Sequence, residues 1–241
     1  MMLLKSFILS GFLFGGLLSF GLEQAYAQGS DVEKAIASLQ AEVAELRQRV
    51  QANEDINEIS NLQRIYGYYV DKGQWEQVAN LFSEDGSMEI AGRGVFKGKE
   101  RILEYLYHIV PGEEGQTGLA YGTLMNHFNL QPVLHVNPDG HSAKGRWRVF
   151  MQVAQLQETA MWGEGTYENE YVKEDGVWKI SKLQTFINYY VDYDKGWDKG
   201  GKELFGEIDG LAPDAKTSVE YKPFPNFFIP PYHYQNPVTG D

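Results

Sequence analysis

The sequence predicts an α+β fold in which helices pack on one face of a curved antiparallel sheet, with an N-terminal helical segment and a C-terminal extended arm. Three observations lead there. Residues 53–109 carry helical spacing of apolar residues, residues 123–190 alternate as long strands with tight turns, and residues 193–241 are dense in proline and aromatic rings. Helices followed by a run of strands segregate the two kinds of element, whereas an α/β chain would interleave them.

The chain opens with Lys5, an apolar run from Phe7 to Leu22, and the small-x-small motif Ala25-Tyr26-Ala27 ahead of Gln28. That order is the layout of a signal peptide, so residues 1–27 are expected to be a cleaved leader and the mature chain to be periplasmic or secreted. A transmembrane anchor is the competing reading, because the run is nearly long enough to span a bilayer. Once the leader is cleaved, no membrane attachment is expected.

Residues 28–54 follow as an amphipathic helix. Val32, Ile36, Leu39, Val43, Leu46 and Val50 alternate spacings of four and three, the seam of a coiled coil, and Asn53 breaks the run where the next apolar residue would fall. Two readings fit: a stalk that builds a homo-oligomer, dimer or trimer, or a single amphipathic helix docked on its own domain.

The domain proper is expected over residues 55–192. A helix from about Asn53 to Tyr69 places Ile59, Leu62, Tyr66 and Tyr69 on one stripe and ends at Lys72-Gly73. A short helix from Trp75 to Phe82, a turn at Ser83-Glu84-Asp85-Gly86, a strand from Ser87 to Ile90 and a third helix from about Lys99 to Ile109 come next. Pro111 to Gly122 is a polar, Gly-rich loop that either gates a cavity or connects. Strands are then expected over Thr123–Asn129, Gln131–Val136, Ser142–Gln157, Met161–Glu174 and Trp178–Tyr190. Asn137-Pro138-Asp139-Gly140 and Glu174-Asp175-Gly176 supply turn chemistry between them. In the arm, Tyr221 to Pro237 holds too many prolines for a helix and too many rings for a solvated tail. It is expected to lie extended against the barrel or against a neighbouring subunit.

Composition narrows the chemistry. The chain has no cysteine, which removes disulfides, thiolate catalysis and Cys-based metal sites. Its net charge of −12 argues against nucleic acid as a partner, since phosphate binding needs a basic surface. The other histidines show no ligand spacing with carboxylates, so no metal is expected, and no dinucleotide fingerprint, phosphate loop or nucleophile elbow appears. Neither metal nor cofactor is expected. With 14% aromatic residues, a wall suited to a small, hydrophobic aromatic molecule is available.

The candidate catalytic pair is Asp71, at the end of the Tyr-rich helix, and His127, in Leu124-Met125-Asn126-His127-Phe128. A carboxylate and an imidazole set among apolar neighbours are the parts of a general acid–base pair. Tyr66 and Tyr69 are candidate phenol donors from the adjacent turn. Trp147, Trp162 and Tyr167 are candidate substrate-contacting rings on the strands.

Five segments together resemble the NTF2-like superfamily in its SnoaL-like branch. They are Tyr66-Gly67-Tyr68-Tyr69-Val70-Asp71 with Trp75, Leu81-Phe82-Ser83-Glu84-Asp85-Gly86, Phe96-Lys97-Gly98-Lys99-Glu100-Arg101-Ile102, Asn126-His127-Phe128, and Tyr171 to Ile180. The resemblance covers about residues 56–190. It implies a cone-shaped sheet around a long helix, with a hydrophobic pocket in which Asp71 and His127 form a base pair. It also implies a polar pocket group at Asn169. The branch includes scytalone dehydratase and lyases of bacterial aromatic catabolism, some of which eliminate formaldehyde from diaryl diols. The chain departs from scytalone dehydratase in carrying Val70 and Ile90 where that enzyme has water-holding tyrosines, and in lacking its second histidine. The expected function is a cofactor-independent lyase, of dehydratase or formaldehyde-eliminating type, acting on a small aromatic hydroxylated substrate. A non-catalytic carrier, an isomerase or cyclase using the same pocket, and an oligomeric interaction module remain open, because one such fold hosts many activities.

Overall fold

The structure, a computed structural model, describes residues 9–110, 112, 117–202, 204, 206 and 208–241, with side chains described at 29 and from 31 onward. The expected leader, 1–27, therefore lies outside the described side chains, and residues 111 and 113–116 of the Gly-rich loop lie outside the described residues. Among the described residues, no helix is long and apolar enough to cross a membrane. The chain divides into two compact units, 1–51 and 52–241.

The described residues of the first unit are helical. Helix α1 runs Leu9–Val70, so the break expected near Asn53 does not occur. Residues 33–58 are rich in Ala, Glu, Gln, Leu and Arg, all strong helix formers, and contain neither Gly nor Pro to stop the helix. The seam residues Val32, Ile36, Leu39, Val43, Leu46 and Val50 are all exposed.

The second unit takes α1 from residue 52 on, then α2 (Trp75–Asn80), β1 (Phe82–Ile90), β2 (Val95–Lys97), α3 (Lys99–Ile109), β3 (Thr123–Val136), β4 (Ser142–Gln155), β5 (Thr159–Glu174) and β6 (Val177–Asp192). The strands form one sheet in the order β2-β1-β6-β5-β4-β3. Neighbours are antiparallel except β1 and β6, which run parallel. That pair refines the wholly antiparallel expectation. Five elements separate β1 from β6 in the chain, so no hairpin fixes their relative direction.

Local chemistry explains two further differences. The Ser83-Glu84-Asp85-Gly86 segment is absorbed into β1, where the register against β6 shifts between Phe82 and Ser87. The two strands expected around residue 130 are one edge strand, β3, irregular between Leu130 and Val133 with Gln131 at φ 50°. Pro132 has no N–H to give the ladder, and an edge strand tolerates that loss at a bulge. The β5–β6 hairpin turns as expected, Asp175 at φ 51° and Gly176 at φ 79° supplying two positive φ values for a primed turn.

Period-2 alternation decides the faces. On β4, Ala143, Trp147, Val149 and Met151 are buried, while Arg146 and Arg148 point to the other face and pair with Glu168 and Glu164 across β5. The inner face packs on Ile59, Leu62, Tyr66 and Val70 of α1 and on Ile102, Tyr105 and Leu106 of α3. Each fully buried aliphatic or Phe side chain there contributes about 1.5–3 kcal/mol over exposure.

Polar groups fix the orientation of α1 on the sheet. Buried Gln63 accepts from Asn169 Nδ2 and Tyr171 OH, both at 2.9 Å, and donates to Asn129 Oδ1 at 3.2 Å. Buried Asp55 accepts from Lys173 Nζ at 2.7 Å and Trp178 Nε1 at 3.0 Å. Breaking either set strands a buried group, so sliding α1 by a turn is disfavoured.

The arm lies on its own domain, the first of the two placements expected. Glu89, buried in β1, accepts from Thr217 Oγ1, Ser218 N and Ser218 Oγ, each at 2.7 Å. Tyr221 OH accepts the Ile187 N–H at 2.6 Å. Farther along, Arg146 donates to the carbonyls of Pro230 and Pro231 at 2.9 Å, and its guanidinium sits 4.1 Å from the Tyr232 ring centre. The arm is docked rather than buried throughout, since Phe227 is 89% exposed.

Candidate active site

Helix α1 ends in a Schellman arrangement that sets the position of Asp71. Gly73, at φ 61°, donates its N–H to Val70 O at 3.1 Å, and Gln74 N–H reaches Tyr69 O at 3.0 Å. Asp71 therefore occupies the last helical turn, where the helix dipole disfavours an anion by about 0.3–1 kcal/mol. A carboxylate held against that local preference is compensated by what it touches. Its Oδ1 accepts the backbone N–H of His127 at 2.6 Å, and the His127 ring Nδ1 lies 3.4 Å from the same oxygen.

His127 stands on the inner face of β3, in register with Met151 of β4. Both members of the pair are largely sheltered, at 11% and 16% side-chain exposure for His127 and Asp71. Among the described residues, buried Nδ1 has no hydrogen-bond partner of good geometry. The carboxylate is near enough to orient the ring. With Nδ1–H turned to Asp71, Nε2 is the free basic nitrogen.

Gly67 makes the approach of α1 to β3 feasible. A Cβ there would lie 2.4 Å from Asn129 Nδ2 and 3.1 Å from the His127 carbonyl oxygen. Asn129 in turn donates to that carbonyl at 3.1 Å. The helix that carries Asp71 is thus seated against the strand that carries His127, with the Asn129 amide filling the space a side chain at position 67 would need.

A cluster of phenols leads inward from the pair. Tyr66 is buried, and its ring meets Tyr167 edge-on at 6.2 Å, with the two hydroxyls within hydrogen-bonding reach. Burial pushes both pKa values up, and the Asp71 charge adds to the rise at Tyr167. Burial also raises Tyr105 and takes Tyr190 up to about 12, while the Arg93 guanidinium opposes the rise at both. Arg93 Nη1 donates to Tyr105 OH at 3.2 Å. All four phenols are consequently neutral near pH 7.

The structure joins some of the expected residues and separates others. Asp71, His127, Tyr66 and Tyr167 come together. Tyr69 is half-buried against the core and, among the described residues, makes no polar contact with the pair. Trp147 and Asn169 are buried and committed to structure: Trp147 Nε1 donates to Tyr171 OH at 2.9 Å, and Asn169 is saturated by Gln63, Tyr171 and the Gln184 N–H. Trp162 is a correction. It lies one residue from Gly163, which shares the row of Met151 and His127, so alternation turns it to the opposite face, where it stacks on Phe150 at 5.3 Å. Tyr105, Tyr190 and Arg93 were not singled out from the sequence. Tyr105 was detectable as part of the apolar face of α3, whereas Arg93, in a Gly-flanked turn, carried no signal. Among the described residues no cluster of His, Asp and Glu suited to a metal ion occurs.

A family model described as SnoaL-like domain matches residues 51–184, more than half of the chain. The chain belongs to the SnoaL-like family. This SnoaL-like protein is 30% identical over 121 residues to hexachlorocyclohexane dehydrochlorinase 1 of Sphingobium indicum, a match covering 50% of this chain and 73% of that one. Among solved structures it is similar to LinA, with a TM-score of 0.50 and 21% identity over 60% of this chain and 93% of LinA. It is similar also to a candidate scytalone dehydratase from Novosphingobium aromaticivorans, with a TM-score of 0.51 and 19% identity over 70% and 99% of the two chains. These two likenesses establish the SnoaL-like fold and nothing finer.

Proposed function

We propose that the protein is a cofactor-independent lyase that eliminates a small molecule from a hydrophobic, hydroxylated aromatic or halogenated substrate. The observation that carries this reading is Asp71 Oδ1 lying 3.4 Å from His127 Nδ1, beside a set of neutral buried phenols. His127 takes a proton from a substrate C–H or O–H through Nε2, with Asp71 stabilising the imidazolium that forms. When the proton comes from C–H, the pair left behind forms the new C=C bond as halide or hydroxide leaves the neighbouring carbon with its bonding pair, the hydroxide taking the proton from the His127 imidazolium to depart as water. When it comes from the O–H of a hydroxymethyl group, the oxygen pair becomes the C=O of formaldehyde, and the broken C–C pair forms the C=C bond as hydroxide leaves the next carbon. Tyr66, backed by Tyr167, donates a hydrogen bond to the departing or charged oxygen. The likeness to a dehydrochlorinase supports elimination in particular, because loss of hydrogen chloride follows the same proton-removal logic.

The test is a screen of the purified protein against hydroxylated diaryl compounds and hexachlorocyclohexane, following product mass, formaldehyde and chloride. Turnover that disappears in His127→Ala supports the proposal. Tight binding with no product from any compound replaces the lyase by a carrier.

A further inference from the structure

We propose that the exposed seam of α1 is the interface of a parallel, two-stranded coiled coil formed with a second copy of this chain. Val32, Ile36, Leu39, Val43, Leu46 and Val50 are all between 45% and 60% exposed, an apolar stripe along one side of a continuous helix. Residues between them are Ala, Ser, Gln or charged, so the stripe has the narrow width of a coiled-coil seam rather than the broad face of a helix that packs on a globular core.

The heptad assignment fixes the partner and the orientation. Spacings of three and four place Ile36, Val43 and Val50 at a, and Val32, Leu39 and Leu46 at d. β-Branched residues at a with leucine at d favour two parallel strands over three or four. On the same count Glu42 and Arg49 fall at g, and Arg47 and Glu54 at e. In a parallel pair each g residue faces the e residue five positions on in the other chain. Glu42 then meets Arg47 of the second copy, and Arg49 meets Glu54, both with opposite charge. An antiparallel pair sets g against g and e against e; it gives up both contacts but sets Glu42 against Arg49 of the other copy, so the β-branched a positions with leucine at d carry the choice of parallel strands. The occupant is therefore a second copy, and not an unrelated apolar surface that would have no use for the charge pattern. Asn53, at the next d position, ends the seam where the helix enters the second unit.

The chain has no native cysteine, which makes the experiment clean. Full-length protein is examined by sedimentation equilibrium, as wild type, as Leu39→Asp/Leu46→Asp, and as Glu42→Arg, Arg47→Glu and their double swap. The proposal requires a dimer whose dissociation constant rises at least tenfold in the Asp variant and in each single charge reversal, and returns toward wild type in the double swap. Val50→Cys supplies the orientation: oxidation yields a covalent dimer if the helices run parallel, and none if they are antiparallel. Circular dichroism and melting of each variant separate loss of pairing from loss of fold. A monomeric wild type overturns the proposal, as does a trimer, a mass that the seam variants leave unchanged, or a monomer that floats with phosphatidylglycerol vesicles through the seam.

Discussion

Asp71 uses one carboxylate oxygen twice, accepting the backbone N–H of His127 at 2.6 Å and facing the ring Nδ1 of the same residue at 3.4 Å. The helix end and the strand are thereby clamped together, and the clamp is the feature that also orients the candidate base. The structural role and the proposed catalytic role fall on the same carboxylate, so substitutions have to be chosen to separate them. Asp71→Asn keeps a carbonyl acceptor for the backbone N–H and removes only the charge. Once a substrate is in hand, His127→Ala is expected to lower kcat/KM by about 10²-fold or more. Asp71→Asn is expected to lower kcat with an unchanged melting temperature. Turnover within about threefold of wild type in His127→Ala sinks the acid–base reading.

Gly67 gives a second prediction, on the seating of α1. Because a Cβ there meets Asn129 at 2.4 Å, Gly67→Val forces Asn129 off Gln63 and the His127 carbonyl. Overpacking of this kind costs about 1–3 kcal/mol. The denaturant midpoint should fall accordingly, and activity should fall further than stability does at temperatures where the variant is folded. A variant as stable as wild type shows that the helix does not lie this close to β3.

Glu89 anchors the arm from inside the sheet. Glu89→Ala leaves the Ser218 N–H and hydroxyl without their acceptor, while Thr217 Oγ1 and Gln184 Nε2 keep Ala91 O and Ser218 Oγ, at about 1–3 kcal/mol for each stranded donor that stays buried. The arm is expected to loosen before the sheet does. Limited proteolysis should then cut between residues 209 and 241 well ahead of the rest of the chain, while the wild type resists at the same enzyme dose. Equal cutting rates would mean that the arm is held mainly by its Arg146 contacts.

The buried phenols set an alkaline limit on stability. Tyr190 is raised to about 12 by burial, and Tyr66, Tyr105 and Tyr167 are raised as well. Below pH 10, the ordinary tyrosine value, both folded and unfolded chains are protonated at these groups and the contribution is intact. From about pH 10 the unfolded chain loses protons that the folded chain keeps, so stability declines up to about pH 12, where Tyr190 ionises in the fold. Denaturant midpoints should stay level to about pH 10 and then drop, and Tyr190→Phe should shallow the drop. Complete tyrosinate absorbance at pH 10 with native circular dichroism would contradict this.

The α+β class was legible because its signals are local. The turn at Asp175-Gly176, the alternation on β4 and the span of α3 depend on neighbours a few positions apart, and the structure has them where the sequence places them. The parallel pairing of β1 with β6 was not legible, because no short-range pattern encodes the direction of strands far apart in the chain. At the site, Asp71 and His127 were readable as residue types in apolar surroundings. Trp162 was misplaced because aromatic character does not reveal which face of a strand a ring occupies, and Arg93 was missed because its partner Tyr105 lies on another element.

What the sequence determined by itself is the inventory: a chain without thiols, a heptad stripe, a Tyr-rich helix closed by Gly73, and a run of strands with primed-turn residues. What tertiary structure decided is adjacency. Only the folded chain brings the Asp71 oxygen to His127, puts Gly67 against Asn129, and joins Trp147 and Asn169 in a buried hydrogen-bond network. The physical reason is that hydrogen bonds and charge interactions fall off within a few ångströms. Their partners are chosen by how helix and sheet pack, and no local sequence pattern records that choice.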